Sequence, residues 1–334
     1  MTDPRVPPPP GAPSHAHHLM LYGSDTEFLE AAMPFARDGL ALDEPVFVAT
    51  TRHNSALIRR HLGPRANGIA FADDDWYHSP AQALLAYHDK ARHTPGRSRV
   101  LGELPWDGLT HGQVREWTRY EALLTLALAA TGAWHLCPYD TRALPSGLVR
   151  SAQLTHPTLT SGAKHRANPA HVAPEKFSAA CDTAALDEPP DRCEEFAFAG
   201  PDELAAMRRF VARHARRAGL SSARGENLLI CVDEAAANAI RHGGGAGHCR
   251  IWSTPAALFC EIADPEGTLS TALAGYLPPG TASLDGRGLW IIRQLSDAAD
   301  MRTTKDGTLI RIRMARTVPT GPGVRGIKAG GRGR

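Results

Sequence analysis

The polar side chains in residues 231–244, CVDEAAANAIRHGG, have types and spacing that could serve chemistry. The alanines favour a helix, and at about 100° per residue Glu234, Asn238 and Arg241 fall within a sector about 60° wide. An apolar stripe on the opposite side consists of Leu229, Val232, Ala236, Ala239 and Ile240. His242 follows the polar residues, and glycines end the helix. Taken alone, this pattern is typical of a surface helix with a solvated polar face.

Two strand-like segments further along the chain each carry a polar residue at one end. Alternation in LFCEIAD and TLIRIRM predicts that Asp264 and Thr308 continue the inward faces of their strands. The apolar members of those faces are Leu258, Cys260, Ile262, Ile310, Ile312 and Met314. A buried carboxylate needs a donor partner, and none is obvious locally. The amino group of adenine would be such a donor, although a turn-capping role before Pro265 explains Asp264 equally well.

The segment DGRGLW, residues 285–290, adds a third feature. Gly286 and Gly288 lie just before a predicted helix, where free backbone N–H groups and the helix dipole favour a phosphate. A single Gly-x-Gly has low specificity, and an ordinary flexible loop into a helix is the alternative. The three features together are more specific than any one of them.

The elements that would position these residues form an α+β pattern over residues 194–316. A short strand, EEFAFA, and a helix beginning near Pro201 precede the helix described above. Two adjacent strands, a loose stretch, a helix and two final strands follow it. Asp306-Gly307 predicts a hairpin between the last two strands. Helices kept apart from a mixed or antiparallel sheet predict a layered α+β sandwich.

The first half of the chain has a different pattern. Over residues 15–157, strand-like and helix-like runs alternate with short links, which predicts a mostly parallel α/β sheet covered by helices. We expect Asp25 to cap the first helix. Residues 158–193 lack a sustained period and predict an interdomain linker. The proline-rich residues 1–14 and the basic, glycine-rich residues 317–334 predict a disordered arm and a disordered tail.

Composition limits the class of protein. The chain has 334 residues, a formal net charge of +2 and 43% hydrophobic residues, which is ordinary for about two soluble domains. This charge predicts that the chain as a whole binds neither nucleic acid nor membranes directly. The longest apolar run is too short to span a bilayer, and the N-terminal residues do not predict a secretory signal. The six cysteines lack metal-site spacing, so we expect reduced core cysteines in a cytoplasmic protein.

Residues 194–316 resemble the GHKL ATPase superfamily and, within it, the bacterial anti-sigma-factor serine kinases. DEAAANAIRH matches the family's N box, DPEG its first glycine box, GRGLW its second, and the Gly-Thr at 307–308 its last motif. The resemblance implies a Bergerat (GHKL) sandwich that binds ATP and Mg²⁺. It also implies that Glu234 is the general base, that Asn238 coordinates Mg²⁺ and that Asp264 binds the adenine amino group. The other nucleotide-binding positions that it implies are Gly267, Gly286, Gly288 and Thr308.

One motif departs from the family pattern. The first glycine box usually reads Asp-x-Gly-x-Gly, whereas this chain has Asp264-Pro-Glu-Gly-Thr, with a single glycine displaced by one place. Proline fixes φ and removes a backbone donor. We therefore expect weaker ATP binding or a differently hinged lid, and a non-catalytic role stays open.

Residues 15–157 resemble the MEDS sensory domain, a RecA-like α/β module, through FLEAAMPFARDGLALDEPVFVAT, GELPWDG, RYEALLTLAL and WHLCPYD. No lysine stands at the phosphate position of YGSDTEFLEA, so we expect no ATP hydrolysis in this half. The candidate residues for sensing an unknown small molecule are Tyr22, Glu103, Trp106, Tyr120, Glu121, Cys137 and Tyr139. Core packing is the simpler explanation for the aromatic members. A structural role is likewise simpler for Cys137 beside His135, although such a pair could respond to redox state or metal.

The two resemblances together predict a regulatory signalling protein of a type familiar in actinobacteria. The first domain would control a second domain that phosphorylates a serine or threonine of an anti-sigma antagonist, or that sequesters a sigma factor. Two alternatives stay open: a sensor histidine kinase, for which His214 is the nearby helical candidate, and a non-catalytic module that binds a partner in an ATP-dependent way. A homodimer is a further expectation.

Overall fold

The computed structural model describes residues 14–73, 76–183, 186–268, 272–278, 287–304 and 306–316. The predicted tail, the predicted arm before residue 14, and Gly286 of the second glycine motif lie outside the described residues. Within those ranges, no helix combines the length and the apolar character that crossing a bilayer requires. The described elements form two layered units, one around a mostly parallel sheet and one around an antiparallel sheet.

The first unit contains a mostly parallel sheet. Its strands among the described residues are β1 (Ala16–Tyr22), β2 (Val46–Ala49), β3 (Ile69–Phe71), β4 (Arg97–Gly102), β5 (Gly132–Asp140), β6 (Thr158–Ser161) and β7 (Lys164–Ala167). Their order is β3-β2-β4-β5-β1-β6-β7, and every neighbouring pair is parallel except β6 with β7. The central strands are largely buried, as expected of a parallel sheet that helices cover. The predicted α/β sheet is confirmed.

The helices of the first unit begin in two ways: the first four along the chain have a serine or threonine side-chain cap, whereas the fifth has none. Those that the structure describes are α1 (Asp25–Ala41), α2 (Arg52–Leu62), α3 (Pro80–Arg92), α4 (His111–Ala127), α5 (Ser146–Thr155) and α6 (Pro174–Thr183). The Ser24 side chain, not that of Asp25, caps α1, because Ser24 has extended backbone (φ −156°) and its hydroxyl accepts the N–H of Glu27. The prediction of Asp25 as the cap is therefore wrong by one residue.

Residues 158–183, which the sequence assigns to a linker, have regular structure. β6 pairs with β1, β7 returns alongside it, and α6 packs on α4, where Arg119 Nη2 donates to Asp182 (2.7 Å). The sequence did not reveal these elements, because four-residue strands carry too short a pattern to detect and their pairing with β1 is a long-range contact. Further along the chain, the Asp187 carbonyl accepts a hydrogen bond from Arg311 Nη1 of the second unit (2.7 Å).

The second unit is an antiparallel sheet with helices on one face. Its described strands are β8 (Glu194–Ala199), β9 (Ala246–Ser253), β10 (Ala257–Asp264), β11 (Ala298–Thr304) and β12 (Gly307–Ala315), and its α-helices are α7 (Leu204–Arg217), α8 (Ser222–His242) and α9 (Arg287–Leu295). The strand order is β11-β12-β10-β9-β8, and the helices bury their apolar sides with the sheet in one core. β11 and β12 pair as far as Thr304 with Gly307, where φ is +105°. The predicted α+β layers and the predicted hairpin are confirmed.

Helix α8 faces the core with a slightly different side from the predicted one. Its buried residues are Leu228, Cys231, Val232, Ala235, Ala236 and Ala239. Leu229 and Ile240 are only partly buried, so the predicted stripe is wrong by a fraction of a turn. Small alanine side chains face the sheet where the helix approaches it closely. Because alanine is only weakly hydrophobic, the hydrophobic period of the sequence does not identify this side of the helix as the buried one. The rotation leaves Glu234 and Asn238 partly buried at the edge of the core.

The two units contact each other through a buried ionic cluster around Glu116 of α4. Glu116 Oε2 accepts hydrogen bonds from the Tyr276 hydroxyl (3.0 Å) and from Arg293 Nη1 of α9 (3.3 Å). Arg119 Nε lies 3.3 Å from the other carboxylate oxygen. Burial raises the pKa of Glu116, but the guanidinium groups of Arg119 and Arg293 outweigh burial and hold that pKa below its ordinary value. Glu116 is therefore a charged carboxylate compensated from both units.

Candidate functional site

A cavity opens between α8, β10, β12 and the start of α9. It encloses about 680 Å³, counting its open mouth. Its walls combine apolar side chains such as Ile262, Leu289 and Ile310 with the polar residues Asn238, His242, Asp264, Thr268 and Thr308. A concave, largely apolar surface with a few convergent polar groups is typical of a small-molecule site.

Asp264 lies at the end of β10, directly opposite Thr308 of β12. Both residues are buried, as the strand alternation predicts. Asp264 Oδ1 accepts a hydrogen bond from the N–H of Glu266 (3.1 Å), so the carboxylate also caps the turn that follows it. Among the residues that the structure describes, no cationic side chain forms an ion pair with it. A buried carboxylate in this position can accept further donors from a molecule in the cavity.

Glycine backbone comes very close to the polar groups of this cavity. A Cβ atom on Gly288 would lie 2.6 Å from Glu234 Oε2 and 3.2 Å from Asn238 Nδ2. A Cβ atom on Gly267 would overlap with the Asp264 carboxylate. A side chain at either position would therefore displace the neighbouring carboxylate, and the start of α9 lies directly against the polar face of α8. All the residues predicted for the nucleotide site except Gly286, which lies outside the described ranges, come together here.

The polar face of α8 divides between the cavity and the surface. Asn238 and His242 line the cavity, whereas Arg241 Nε donates to a carbonyl oxygen of its own helix (3.2 Å). Asp233 forms an ion pair with a surface arginine of α7 (3.0 Å). Of these two neighbouring acidic residues, Glu234 is the one that approaches the start of α9.

Gly243 also belongs to this site, although the sequence does not single it out. It follows the last residue of α8, and a Cβ atom there would overlap with the Asp264 carboxylate. The sequence HGGG indicates only that a helix ends. The approach of Gly243 to Asp264 becomes visible only when β10 is placed beside α8.

The side chains present fit a nucleotide with a divalent cation. Asp264 offers a buried acceptor to an amino group such as that of adenine. The start of α9 at Gly288 offers backbone N–H groups to a phosphate. The side-chain carbonyl oxygen of Asn238 is a hard ligand of the kind that Mg²⁺ prefers. Asn238 would therefore hold the cation, and Asp264 with Thr308 would hold the base.

A second polar network lies in the first unit, at the carboxyl ends of β1 and β4. The Tyr22 hydroxyl donates to Glu103 Oε1 (2.7 Å), and Asn54 Nδ2 donates to Glu103 Oε2 (2.8 Å). Burial raises the pKa of Glu103, although these two donors act in the opposite direction. A cavity of about 1180 Å³, counting its mouth, opens beside Glu103. Parallel sheets bind ligands at this edge. Of these three residues Glu103 lines the cavity, and Asn54 is a partner of Glu103 that the sequence missed.

Glu121 and Cys137 lie together elsewhere in the first unit. Glu121 Oε2 and Cys137 Sγ are 3.3 Å and 3.4 Å from the same atom, Nε2 of His17. His135 is close, with its ring 6.4 Å from that of His17, but it is not part of the tight group. Cys137 therefore has close polar partners other than the neighbour that the sequence suggested.

Of the remaining aromatic candidates, Tyr120 and Tyr139 are core residues, and Trp106 is partly buried and packs against the core. The Trp106 and Tyr139 rings lie 5.7 Å apart, and Tyr120 packs against Trp117 at 5.2 Å. Tyr120 and Trp117 belong to one apolar cluster. Their positions agree with the core-packing explanation.

Fold and cavity together define a two-domain chain in which a parallel α/β domain precedes an α+β domain with a nucleotide-type site. Comparison with known families identifies both domains. Residues 16–157 match the MEDS domain (MEthanogen/methylotroph, DcmR Sensory domain), and residues 198–314 match a histidine kinase-like ATPase domain. The chain therefore carries a MEDS domain followed by a histidine kinase-like ATPase domain, which makes it a regulatory signalling protein. A search of curated proteins finds no match to the chain.

Proposed function

We propose that the MEDS domain controls an ATP- and Mg²⁺-binding kinase domain that phosphorylates a serine or threonine of an anti-sigma antagonist, or that sequesters a sigma factor. One observation carries this proposal. Glu234 and Asn238 lie side by side against the backbone of Gly288, at a cavity that also contains the buried Asp264. A cytoplasmic location and a homodimer stay predictions.

The chemistry of the proposal assigns one role to each polar group. ATP supplies the phosphoryl group, and Mg²⁺ offsets the charge of its phosphates. Within the chain, Asn238 would hold the metal ion, and Asp264 would orient the base with Thr308. Glu234 would take the proton of the protein hydroxyl during transfer, because a base is required there and Glu234 shares a helix face with Asn238. Asp233 is turned away into a surface ion pair.

The arrangement of helices and sheets in the two domains supports a more specific fold for each of them. Three helices on one face of an antiparallel sheet, with a cavity between α8, β10, β12 and the start of α9, agree with a Bergerat (GHKL) sandwich. The parallel sheet of the first domain agrees with a RecA-like module. No lysine follows β1 at the phosphate position, so the first domain would sense a ligand rather than hydrolyse ATP.

Control by the MEDS domain would pass through Glu116. Tyr276 lies between the two glycine motifs of the ATPase domain, in the part of the chain that the resemblance makes the nucleotide lid. Its hydroxyl donates to Glu116 of the MEDS domain, and the Arg293 guanidinium lies 4.0 Å from its ring centre. A movement of α4 would therefore change how the lid segment is held.

A non-catalytic module that binds a partner in an ATP-dependent way is the second candidate. It is favoured by Pro265, which offers no N–H donor in the displaced first glycine box. Gly267 nevertheless lines the cavity, and its N–H donates to the Asp264 carbonyl oxygen (3.2 Å). This arrangement is compatible with ATP binding, whether or not transfer follows.

A sensor histidine kinase is less well supported. His214 of α7 lies with Nε2 3.3 Å from a Glu194 carboxylate oxygen and with its ring 4.8 Å from that of Phe210. An alanine follows it, where a phosphoacceptor histidine would be followed by an acidic residue. We therefore prefer a hydroxyl acceptor on a separate protein.

The test measures ATP affinity and transfer of radiolabelled phosphate to a panel of anti-sigma antagonist proteins in the same preparations. We expect Glu234→Gln to bind ATP nearly as well as the wild type and to slow transfer about 10²–10⁴-fold, the usual contribution of a general base. Asn238→Ala should also lose Mg²⁺-dependent binding. Asp233→Asn is the matched control and should behave as the wild type.

The outcomes separate the candidates. Undiminished transfer in Glu234→Gln would exclude Glu234 as the base. ATP binding without transfer by the wild type, across the whole panel, would favour the binding module. An acid-labile label on the protein itself would favour the histidine kinase.

A further inference from the structure

Four side chains of the types that bind metal ions lie together inside the MEDS domain. They are His17 of β1, Glu121 of α4, Cys137 of β5 and His156, which directly follows α5. Each is at most 2% exposed. One nitrogen, sulfur or oxygen atom from each of them lies within 4.8 Å of the others. We call this group the buried cluster.

The distances in the buried cluster are those of a small coordination shell. His17 Nε2 lies 3.3 Å from Glu121 Oε2 and 3.4 Å from Cys137 Sγ. His156 Nε2 lies 3.2 Å from Glu121 Oε2. Ligands bound tetrahedrally to zinc at about 2.0–2.3 Å are separated from one another by roughly 3.3–3.8 Å. The side chains therefore need little movement to surround one ion.

Hydrogen bonds orient the histidines toward the centre of the cluster. His156 Nδ1 lies 2.7 Å from the carbonyl oxygen of Ala152, which can only accept, so Nδ1 carries a hydrogen, and in the neutral ring Nε2 then presents the lone pair that a metal ion needs. His17 Nδ1 is similarly close to Thr125 Oγ1 (3.1 Å). A metal-bound histidine usually makes a hydrogen bond of this kind through its other ring nitrogen.

Two atoms of the buried cluster lack a hydrogen-bond partner. Glu121 Oε2 and His156 Nε2 are both buried and lie 3.2 Å apart, and with a neutral imidazole both are acceptors. Such a pair repels unless something positive lies between its members. A metal ion at the centre removes this repulsion and satisfies both atoms at once.

The charges of the cluster favour a divalent cation. Among the residues that the structure describes, the ionic neighbours of the Glu121 carboxylate are the two histidines, with no lysine or arginine. An uncompensated buried carboxylate is strongly unfavourable. A dipositive ion with one carboxylate and one thiolate is neutral overall, and the thiol proton leaves to solvent when the ion binds. Two imidazoles, a thiolate and a carboxylate suit zinc.

We propose that the MEDS domain binds one Zn²⁺ ion through His17, Glu121, Cys137 and His156. Four protein ligands fill a tetrahedral shell, so the site is closed and structural in type. The ion would join β1, β5, α4 and the end of α5. The ligands are too far apart in the sequence for any spacing motif to reveal them.

The first test uses the full chain prepared without a histidine tag. After dialysis, elemental analysis should find about one zinc ion per chain in the wild type, as expected for a closed four-ligand site. Cys137→Ser and His156→Gln should each lower the zinc content severalfold. Cys181→Ser is the matched control, since Cys181 is also a buried free cysteine but lies on α6, outside the cluster.

A second measurement on the wild type keeps the proposal testable even where a ligand variant does not fold. Cobalt replacing zinc in the wild type should give tetrahedral visible bands together with a thiolate charge-transfer band, and Cys181→Ser should keep both. A chelator should lower the midpoint of thermal unfolding. A wild-type chain that takes up less than about a tenth of an equivalent of zinc or cobalt would overturn the proposal, and so would a thiolate–cobalt band that persists in Cys137→Ser.

Discussion

At the scale of single residues, the Asp264 carboxylate is the group through which the ATPase domain would recognise its nucleotide. Asp264→Asn keeps the size of the side chain but replaces one acceptor oxygen with a donor. We expect nucleotide affinity to fall by about 1–3 kcal/mol, or roughly 5- to 150-fold, the scale of an unsatisfied buried polar contact. Titration calorimetry measures the change, with Asp233→Asn as the control from the surface of the same domain. Unchanged affinity in Asp264→Asn would remove Asp264 from the base pocket.

Gly288 allows a second test at the same scale, because its backbone touches Glu234. A Cβ atom there would lie 2.6 Å from Glu234 Oε2, so Gly288→Ala should displace the carboxylate and slow phosphotransfer by about 10²-fold, the usual cost of a displacement near 1 Å. Gly225→Ala is the matched control, since its Cβ would meet only the Cβ of Ala215, at 3.8 Å. That change should leave transfer intact and stabilise α8 by about 0.5–1 kcal/mol. Equal single-turnover rates in the two variants would contradict this account of Gly288.

The residues of the ATPase site could be predicted from the sequence because each of them belongs to a short, continuous sequence pattern. Alternation along β10 and β12 put Asp264 and Thr308 on the buried face, and the strand pairing then set them opposite each other. The buried cluster has no local signal. His17 and Cys137 are 120 residues apart and meet only because β1 and β5 are neighbours in the sheet.

At the scale of elements, α4 joins the two domains through Glu116. Glu116→Gln removes a charge that Arg293 and Arg119 face in a buried site, so we expect the free energy of unfolding at pH 7 to fall by on the order of 3 kcal/mol. Glu175→Gln, an exposed change on α6, is the control. Urea unfolding measures both variants against the wild type.

We also expect the stability difference between the wild type and Glu116→Gln to depend on pH. The folded-state pKa of Glu116 lies below its ordinary value of 4.5, so its contribution is fully present above about pH 4.5 and disappears as the pH falls through the lowered pKa. The difference in stability between the wild type and Glu116→Gln should therefore shrink in acid. A difference that stays constant down to the lowest pH at which the protein folds would show that charge is not its cause.

Elements in the middle of the chain were harder to predict than those at the site. β6 and β7 have four residues each and gain their support from β1, so their own sequence carries little pattern. The hydrogen bond between Tyr276 and Glu116 spans 160 residues and depends on how the domains pack. Packing of this kind does not follow from the period of any single segment.

At the scale of the whole molecule, the domain division predicts where proteases cut. Arg192 is exposed in the irregular stretch before β8, whereas Lys164 and Arg166 lie in a strand paired with β6. We expect brief trypsin treatment to cleave after Arg192 before any other site between residues 158 and 193, and Arg192→Ala to slow cleavage in this region. Mass spectrometry of the fragments identifies the site. Uniform resistance between residues 158 and 193 would mean that this stretch is packed throughout and that the predicted boundary is wrong.

The cleaved domains should stay associated. Arg115 of α4 pairs with Asp300 of β11 (3.3 Å), and Gln82 donates to the carbonyl oxygen of Gln294 (3.1 Å), in addition to the contacts of Glu116. We expect the two fragments to elute together in size-exclusion chromatography at neutral pH. Their separation at neutral pH and low salt would show that the linker, not the interface, holds the domains together.

Helix α4 bears both Glu116, at the contact between the domains, and Glu121, in the buried cluster, about 7.5 Å apart along one helix axis. Binding equilibria that share a rigid element are linked, and linkage is reciprocal. If zinc changes the affinity of the ATPase domain for ATP by some factor, then ATP must change the affinity of the MEDS domain for zinc by the same factor. The nucleotide would thus regulate its own regulator, and a titration of either ligand with and without the other would give the full coupling free energy.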